Sequence, residues 1–304
     1  MTNIKLTCNW DNNENLTSSL LNQFKLNEIN LTSINFVNDL SYDVMIIMGY
    51  ITEYPKSNSV SYLFPQEPSW TGSHQRHFNN CNNLTVYGFD KSLYSHWEGV
   101  KFVECFSHMF YGGRGHWCEG KNNWTYNNLQ KINPLKLSNI CSFISNRGLK
   151  DLNNPAGCLY SLRCELVDSI KHLEFIDFYG GWDFNTPNNK KYTLSKYESL
   201  LPYKFTLTVE NSNENYFVSE KFFDPILVNS IPIYFGCKNI KLLFPENGYI
   251  LLDSITDEHY IIEKLNYINN NAERLYAEMY PELLKIKHRY FTEHNILKKI
   301  ISLV

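Results

Sequence analysis

The chain has 304 residues, a length that fits one large domain or two ordinary ones. Hydrophobic residues make up 43% of it and charged residues 19%, which supplies a packed core and excludes a natively disordered chain. The 28 basic residues are balanced by 31 acidic ones for a net charge of −3, so no global positive field exists to hold nucleic acid or an anionic membrane; any anion site must be built locally.

Ile4, Leu6, Cys8 and Trp10 alternate with polar residues, which predicts a half-buried strand. Leu16 to Leu26 has helical spacing, and Val44 to Met48 is a continuous apolar run ending at Gly49, the pattern of a strand buried on both faces. Val60 to Phe64 and Thr85 to Phe89 predict further strands. From Lys121 to Asn139 the chain is polar and rich in Asn, with Pro134 inside it, and the boundary between a domain of residues 1–135 and one of residues 136–304 is expected there. Strands are then predicted over 140–145, 175–179, 205–209, 231–235 and 249–252, with a helix on Leu159, Leu162, Leu166, Ile170 and Leu173. Past Asp257 the chain reads as helix interrupted near Pro281, and its basic amphipathic end, 298–301, is expected to pack on its own domain, with a membrane-surface contact as the alternative. The alternation predicts two α/β domains of Rossmann-like type with parallel sheets, and a ligand cleft beyond the carboxyl ends of the strands.

No stretch approaches the roughly 20 apolar residues that span a bilayer, and no apolar block of signal-peptide type occupies residues 1–20, so a soluble, cytoplasmic protein is expected. The 8 cysteines show no CxxC pair and predict reduced thiols rather than a disulfide framework or a zinc site. Acceptor triplets for N-glycosylation at Asn15, Asn30, Asn83 and Asn123 are expected by chance in so Asn-rich a chain. No HExxH, Cys/His cluster or DxD-like pair is present, so no metal is implied. Without a P-loop or GxGxxG a kinase, ATPase or dehydrogenase is disfavoured.

The densest stretch runs from Tyr203 to Ile240. A strand ends at Val209, a polar loop spans 210–216, and Ser219 is a helix N-cap with Glu220 and Lys221 in the first turn. A helix N-terminus offers free N–H groups to phosphate, and lysine there conflicts with the dipole unless an anion stands nearby. On charge pattern alone, Glu220 and Lys221 read first as an ordinary surface pair; their place at a strand-loop-helix junction favours the anion site. Pro225 falls inside this helix and shortens or kinks it.

The words Tyr203-Lys204-Phe205, Glu210-Asn211-Ser212, Val218-Ser219-Glu220-Lys221 and Ile231-Pro232-Ile233-Tyr234-Phe235-Gly236 together resemble the signature of glycosyltransferase family 10, the α-1,3/1,4-fucosyltransferases. Ile144-Ser145-Asn146 followed by Arg163, the run from Ile176 to Gly180, and Leu63 to Ser69 resemble further elements of that family. Ser219 stands where the family usually has Thr, and Phe217 where it often has Tyr, with Tyr216 one position earlier. The resemblance implies a GT-B fold, two Rossmann-like α/β/α domains facing each other across a cleft. It also implies inverting transfer of L-fucose from GDP-fucose to a hydroxyl of an oligosaccharide or glycoconjugate, with no cofactor and no metal. By it, Lys221 is a pyrophosphate ligand, Glu220 a ribose ligand, and Asn211, Tyr216, Phe217, Ser145, Asn146 and Gly180 lie by the donor. Arg163 is expected to fork onto the diphosphate, since a guanidinium binds two phosphate oxygens at fixed charge. Glu67 is the expected general base, because direct displacement needs one carboxylate to take the acceptor's proton. His74 and Arg76 are acceptor-side candidates; Arg114 and Trp117 in the glycine-rich run 111–117, which matches no element of the family, read equally as lining a sugar site or as part of a surface turn. Two other readings stay open: a GT-B enzyme using a different nucleotide sugar, and an inactive nucleotide- or glycan-binding module.

Overall fold

The computed structural model describes residues 1–9, 11–26, 28–68, 83–95, 97, 99–105, 126–145, 157–182, 188–190, 196–294 and 296–304. Contacts group them into two units. Among the described residues, the first holds those up to 105 with 215–217 and 292–304, and the second those of 126–214 and 218–291.

The first unit runs β1 (Thr2–Cys8), α1 (Asn13–Leu26), β2 (Ile34–Phe36), β3 (Val44–Met48), β4 (Val60–Phe64), β5 (Leu84–Gly88) and β6 (Lys101–Glu104). These strands form one parallel sheet in the order β2-β1-β3-β4-β5-β6. All of β3 is buried, as its apolar run requires. β1 is not the half-buried strand that its alternation predicts: Ile4 to Cys8 are buried throughout, because β1 is an inner strand between β2 and β3. Lys5 tolerates this by reaching Glu53 at 2.8 Å. Trp10 lies outside the described residues. On one side Met45, Ile47, Leu63, Val86, Tyr94 and Trp97 pack into a common core.

The terminal helix, which follows the second series in the chain, groups with this first unit rather than with residues 136–291. It spans Ile296–Ser302 and buries Ile296, Leu297 and Ile300. The Lys299 ammonium stands 4.2 Å from the Tyr87 ring centroid, and the Tyr62 hydroxyl donates to the Leu303 carbonyl at 3.3 Å.

The second unit runs α2 (Tyr126–Lys131), β7 (Ser138–Phe143), α3 (Tyr160–Ile170), β8 (Ile176–Tyr179), α4 (Lys196–Leu200), β9 (Tyr203–Val209), α5 (Glu220–Leu227), β10 (Ile231–Phe235), α6 (Ile240–Leu243), β11 (Ile250–Leu251), α7 (Glu258–Asn270) and α8 (Ala272–Thr292). The terminal helix is therefore α9. Its parallel sheet has the order β11-β10-β9-β7-β8. Strand order reverses between β7 and β9, which marks the place where doubly wound sheets bind ligands. Register puts Ile140, Ser142, Phe205 and Leu207 on one face and Cys141, Phe143, Thr206 and Thr208 on the other. Every residue of β9 is buried, so its threonines lie inside with its apolar residues.

The break expected near Pro281 is absent, since α8 continues through it. Leu283, Ile286, Tyr290 and Phe291 are buried beyond the proline, and that packing holds the helix despite one missing N–H bond. The interruption falls at Asn271 instead, where the backbone leaves the helix at φ −115° and ψ 17°. No helix among the described residues is long and apolar enough to cross a membrane. Cys8, Cys105, Cys141, Cys158, Cys164 and Cys237 are free thiols; Cys81 and Cys118 lie outside the described residues.

Candidate functional site

The carboxyl end of β9 ends in a buried acid. Glu210 is 0% exposed, and its carboxylate accepts the Ser219 N–H at 2.8 Å, the Ser219 hydroxyl, and the Tyr234 hydroxyl at 3.3 Å. Tyr234 in turn accepts the Cys237 N–H at 3.1 Å. Burial pushes the Glu210 carboxyl above the usual carboxylate range, while Lys221 pulls it down and Glu220 adds to the rise. Gly236 is required beside it, because a Cβ there would stand 2.3 Å from the Glu210 Cγ.

Glu210 thereby ties the end of β9 to the start of α5. Ser219, fixed by both its N–H and its hydroxyl, is the N-cap of α5 and accepts the Lys221 N–H at 3.2 Å. The first turn carries Glu220 and Lys221, whose side chains meet at 2.8 Å. The Lys221 ammonium also reaches the Ser219 hydroxyl at 3.3 Å. This answers the dipole conflict read from the sequence: a carboxylate stands beside the lysine in the same turn.

The loop after β9 also positions α3. The Leu159 N–H donates to the Asn211 carbonyl at 2.9 Å, and the Asn213 N–H and Ser212 hydroxyl donate to the Gly157 carbonyl, each at 3.1 Å. Held this way, the first turn of α3 puts Arg163 against the loop that follows β9. Arg163 is 2% exposed, donates from Nη1 to the Asn211 side chain, and lies 5.3 Å from the Tyr160 ring centroid. Its Nε is buried with no partner among the described residues. Burial lowers its pKa, and the charges of Glu210 and Glu220 act in the opposite direction.

A further pair lies behind this turn. Lys196 of α4 meets Asp224 of α5 at 2.6 Å, and the Tyr197 hydroxyl donates to the same carboxylate at 3.0 Å. The region therefore sets three cations, Arg163, Lys196 and Lys221, against three acids, Glu210, Glu220 and Asp224.

Of the residues expected from the sequence, Arg163, Asn211, Glu220 and Lys221 come together at the carboxyl ends of β7 and β9. Ser145 follows β7, half-buried. Gly180, at φ 133°, closes the end of β8. The space of its missing Cβ is filled by the Ile144 carbonyl at 1.9 Å, so the close approach it permits is to the protein's own β7. Tyr216, at φ 59°, and Phe217 group with the first unit, where the buried Phe217 ring meets Phe89 edge-on at 5.4 Å. Glu67 sits exposed in a bend after β4. Asn146, His74, Arg76, Arg114 and Trp117 lie outside the described residues. The sequence reading missed Glu210, Lys196, Tyr197 and Asp224 as parts of the site. Asp224 was findable, since it stands one turn after Glu220 on the same helix. No group of His, Cys, Asp or Glu fit to hold a metal ion occurs among the described residues.

Comparison with known proteins places these features in a family. Residues 136–297 match the family model of glycosyltransferase family 10 (fucosyltransferase), C-terminal part. A putative fucosyltransferase-like protein of Arabidopsis thaliana is 29% identical over 155 residues, 50% of this chain and 28% of that protein. The α-(1,3)-fucosyltransferase B of Drosophila melanogaster is 32% identical over 114 residues, 34% of this chain and 26% of that protein. The matched stretches thus span only a minor part of either relative. A solved α1,3-fucosyltransferase with GDP-fucose shares the fold, with a TM-score of 0.53 at 17% identity over 97% of this chain and 90% of that one. The two units with their parallel sheets are of GT-B type, and over more than half its length the chain belongs to glycosyltransferase family 10.

Proposed function

We propose that the chain transfers L-fucose from GDP-fucose to a hydroxyl of a glycan acceptor, with inversion at the anomeric carbon. The observation that carries this reading is the buried Arg163 with its uncommitted Nε, beside the capped first turn of α5 that presents Lys221. A diphosphate suits that arrangement. Arg163 supplies a planar fork, Lys221 a point charge, and the α5 N-terminus its free N–H groups. Glu220 accepts the ribose hydroxyls. Membership of the family supports GDP-fucose as the donor.

In the reaction, the acceptor oxygen attacks the anomeric carbon as the bond to the GDP oxygen breaks, and the proton of the attacking hydroxyl passes to a carboxylate. Negative charge develops on the departing GDP and is met by Arg163 and Lys221, which lowers the barrier. Glu67 is the base in this reading. It follows β4 and its side chain is exposed.

The test is GDP release from GDP-fucose over a panel of oligosaccharide acceptors, run with and without a chelator because the reading assigns the phosphate charge to protein groups. Glu67→Gln keeps GDP binding and lowers transfer by about 100- to 10,000-fold, the span of general-base catalysis. Unchanged transfer by Glu67→Gln removes that residue from the mechanism. Preferential binding of UDP over GDP points to another nucleotide sugar, and GDP binding without any transfer points to a binding module.

A further inference from the structure

The Lys196–Asp224 pair is unused by the donor contacts just described, and its position gives it a task. The two side chains are 11% and 2% exposed. Burying two charges costs desolvation that their attraction only partly returns, so such a pair is poorly explained by stability alone. Asp224 follows Glu220 by four residues on α5, which puts both carboxylates on one helix face, where like charges repel. Lys196 comes from a different element, α4, and its ammonium lies 5.1 Å from the ring centroid of Phe143, the last residue of β7. Burial alone would lower the Lys196 pKa. The carboxylates of Asp224, Glu220 and Glu210 overcome that and leave it raised, so the ammonium sits in the field of all three acids.

We propose that Lys196 is a positioning residue of the donor site. Clamped on Asp224, its ammonium cancels the acid one turn behind Glu220, so that the Glu220 carboxylate holds its place for the ribose hydroxyls instead of being driven off by Asp224. This rests on the proposed GDP reading and adds a division of labour to it. Lys196 acts through Glu220 on the nucleoside half, while Arg163 and Lys221, neither of which touches Lys196, hold the phosphates.

Calorimetric titration of the purified full chain with GDP, and separately with inorganic pyrophosphate, tests the assignment. Lys196→Met keeps the apolar stem and removes the charge. It binds GDP about tenfold more weakly, while pyrophosphate binding stays within about twofold of the unmodified protein. The double variant Lys196→Met/Asp224→Asn removes both charges and recovers most of the GDP affinity. Asp224→Asn alone keeps the ammonium and binds GDP within about twofold of the parent even though its melting temperature falls; this arm decides the matter if Lys196→Met does not fold. Equal loss of GDP and pyrophosphate binding overturns the proposal, as does unchanged GDP binding in Lys196→Met. So does a GDP loss in Asp224→Asn that tracks its melting temperature. An unmodified protein that binds no GDP sinks the donor reading itself, a separate result.

Discussion

A guanidinium is among the hardest side chains to bury, and Arg163 is held inside by one amide oxygen and one aromatic face. Its remaining donors are the capacity a diphosphate would use. Arg163→Lys keeps the charge and loses the fork, so GDP affinity drops by about tenfold, read by calorimetry. Lys221→Ala removes a charge-assisted contact and weakens GDP by about 10- to 100-fold in the same assay. Lys221, Glu220 and Asn211 were legible because they stand in consecutive words of one motif. Arg163 was legible by its place after Ile144-Ser145-Asn146. Glu210 sat in plain view within the motif without a role, because what defines it is contact with Ser219 and Tyr234, 9 and 24 residues away, which only the fold brings onto one carboxylate. Lys196 was invisible for the same reason: its partner is on another helix.

At the scale of elements, the β9–α5 junction carries the candidate donor residues, and a carboxylate, Glu210, fastens it. Gly236→Ala would drive a Cβ into Glu210 and the Tyr234 hydroxyl, at 2.3 and 2.8 Å. The expected cost is about 1–3 kcal/mol of stability by denaturant unfolding, with weaker GDP binding as the α5 cap shifts. Most strands could be read from apolar runs; β10 falls on the residues expected. The errors share a cause. A sequence pattern reports one strand or helix, but coverage by neighbours decides burial, so β1 is inside although its alternation reads as half-buried. Likewise Pro281 marks a break by local rules, and packing of the residues after it prevails.

For the whole molecule, the pole of the second sheet away from the site holds two buried lysines that couple folding to pH. Lys136 donates to the Leu201 and Val228 carbonyls, each at 2.8 Å, and Lys287 to the Asn229 side chain at 2.6 Å. Burial pushes both ammonium groups down to about 7, and for Lys136 the nearby Lys287 and Lys204 add to the fall. The unfolded chain titrates them near 10.4, so above about pH 7 it binds more protons than the folded protein, and stability rises with pH. The rise is expected between about pH 7 and 8.5; beyond that the buried thiols of Cys105 and Cys141, pushed up to about 12, act in the opposite direction. Denaturant unfolding at a series of pH values checks this, with a shallower slope expected for Lys287→Met. The order of the chain adds a consequence. Helix α9 groups with the first unit, yet it is synthesised after every residue of the second. On the ribosome, then, the sheet of the first unit emerges before the second unit, and the helix that packs with it emerges after. While the second sheet is already assembling, the bed for Ile296, Leu297 and Ile300 stands open, and that interval is when a chaperone or a neighbouring nascent chain would meet it.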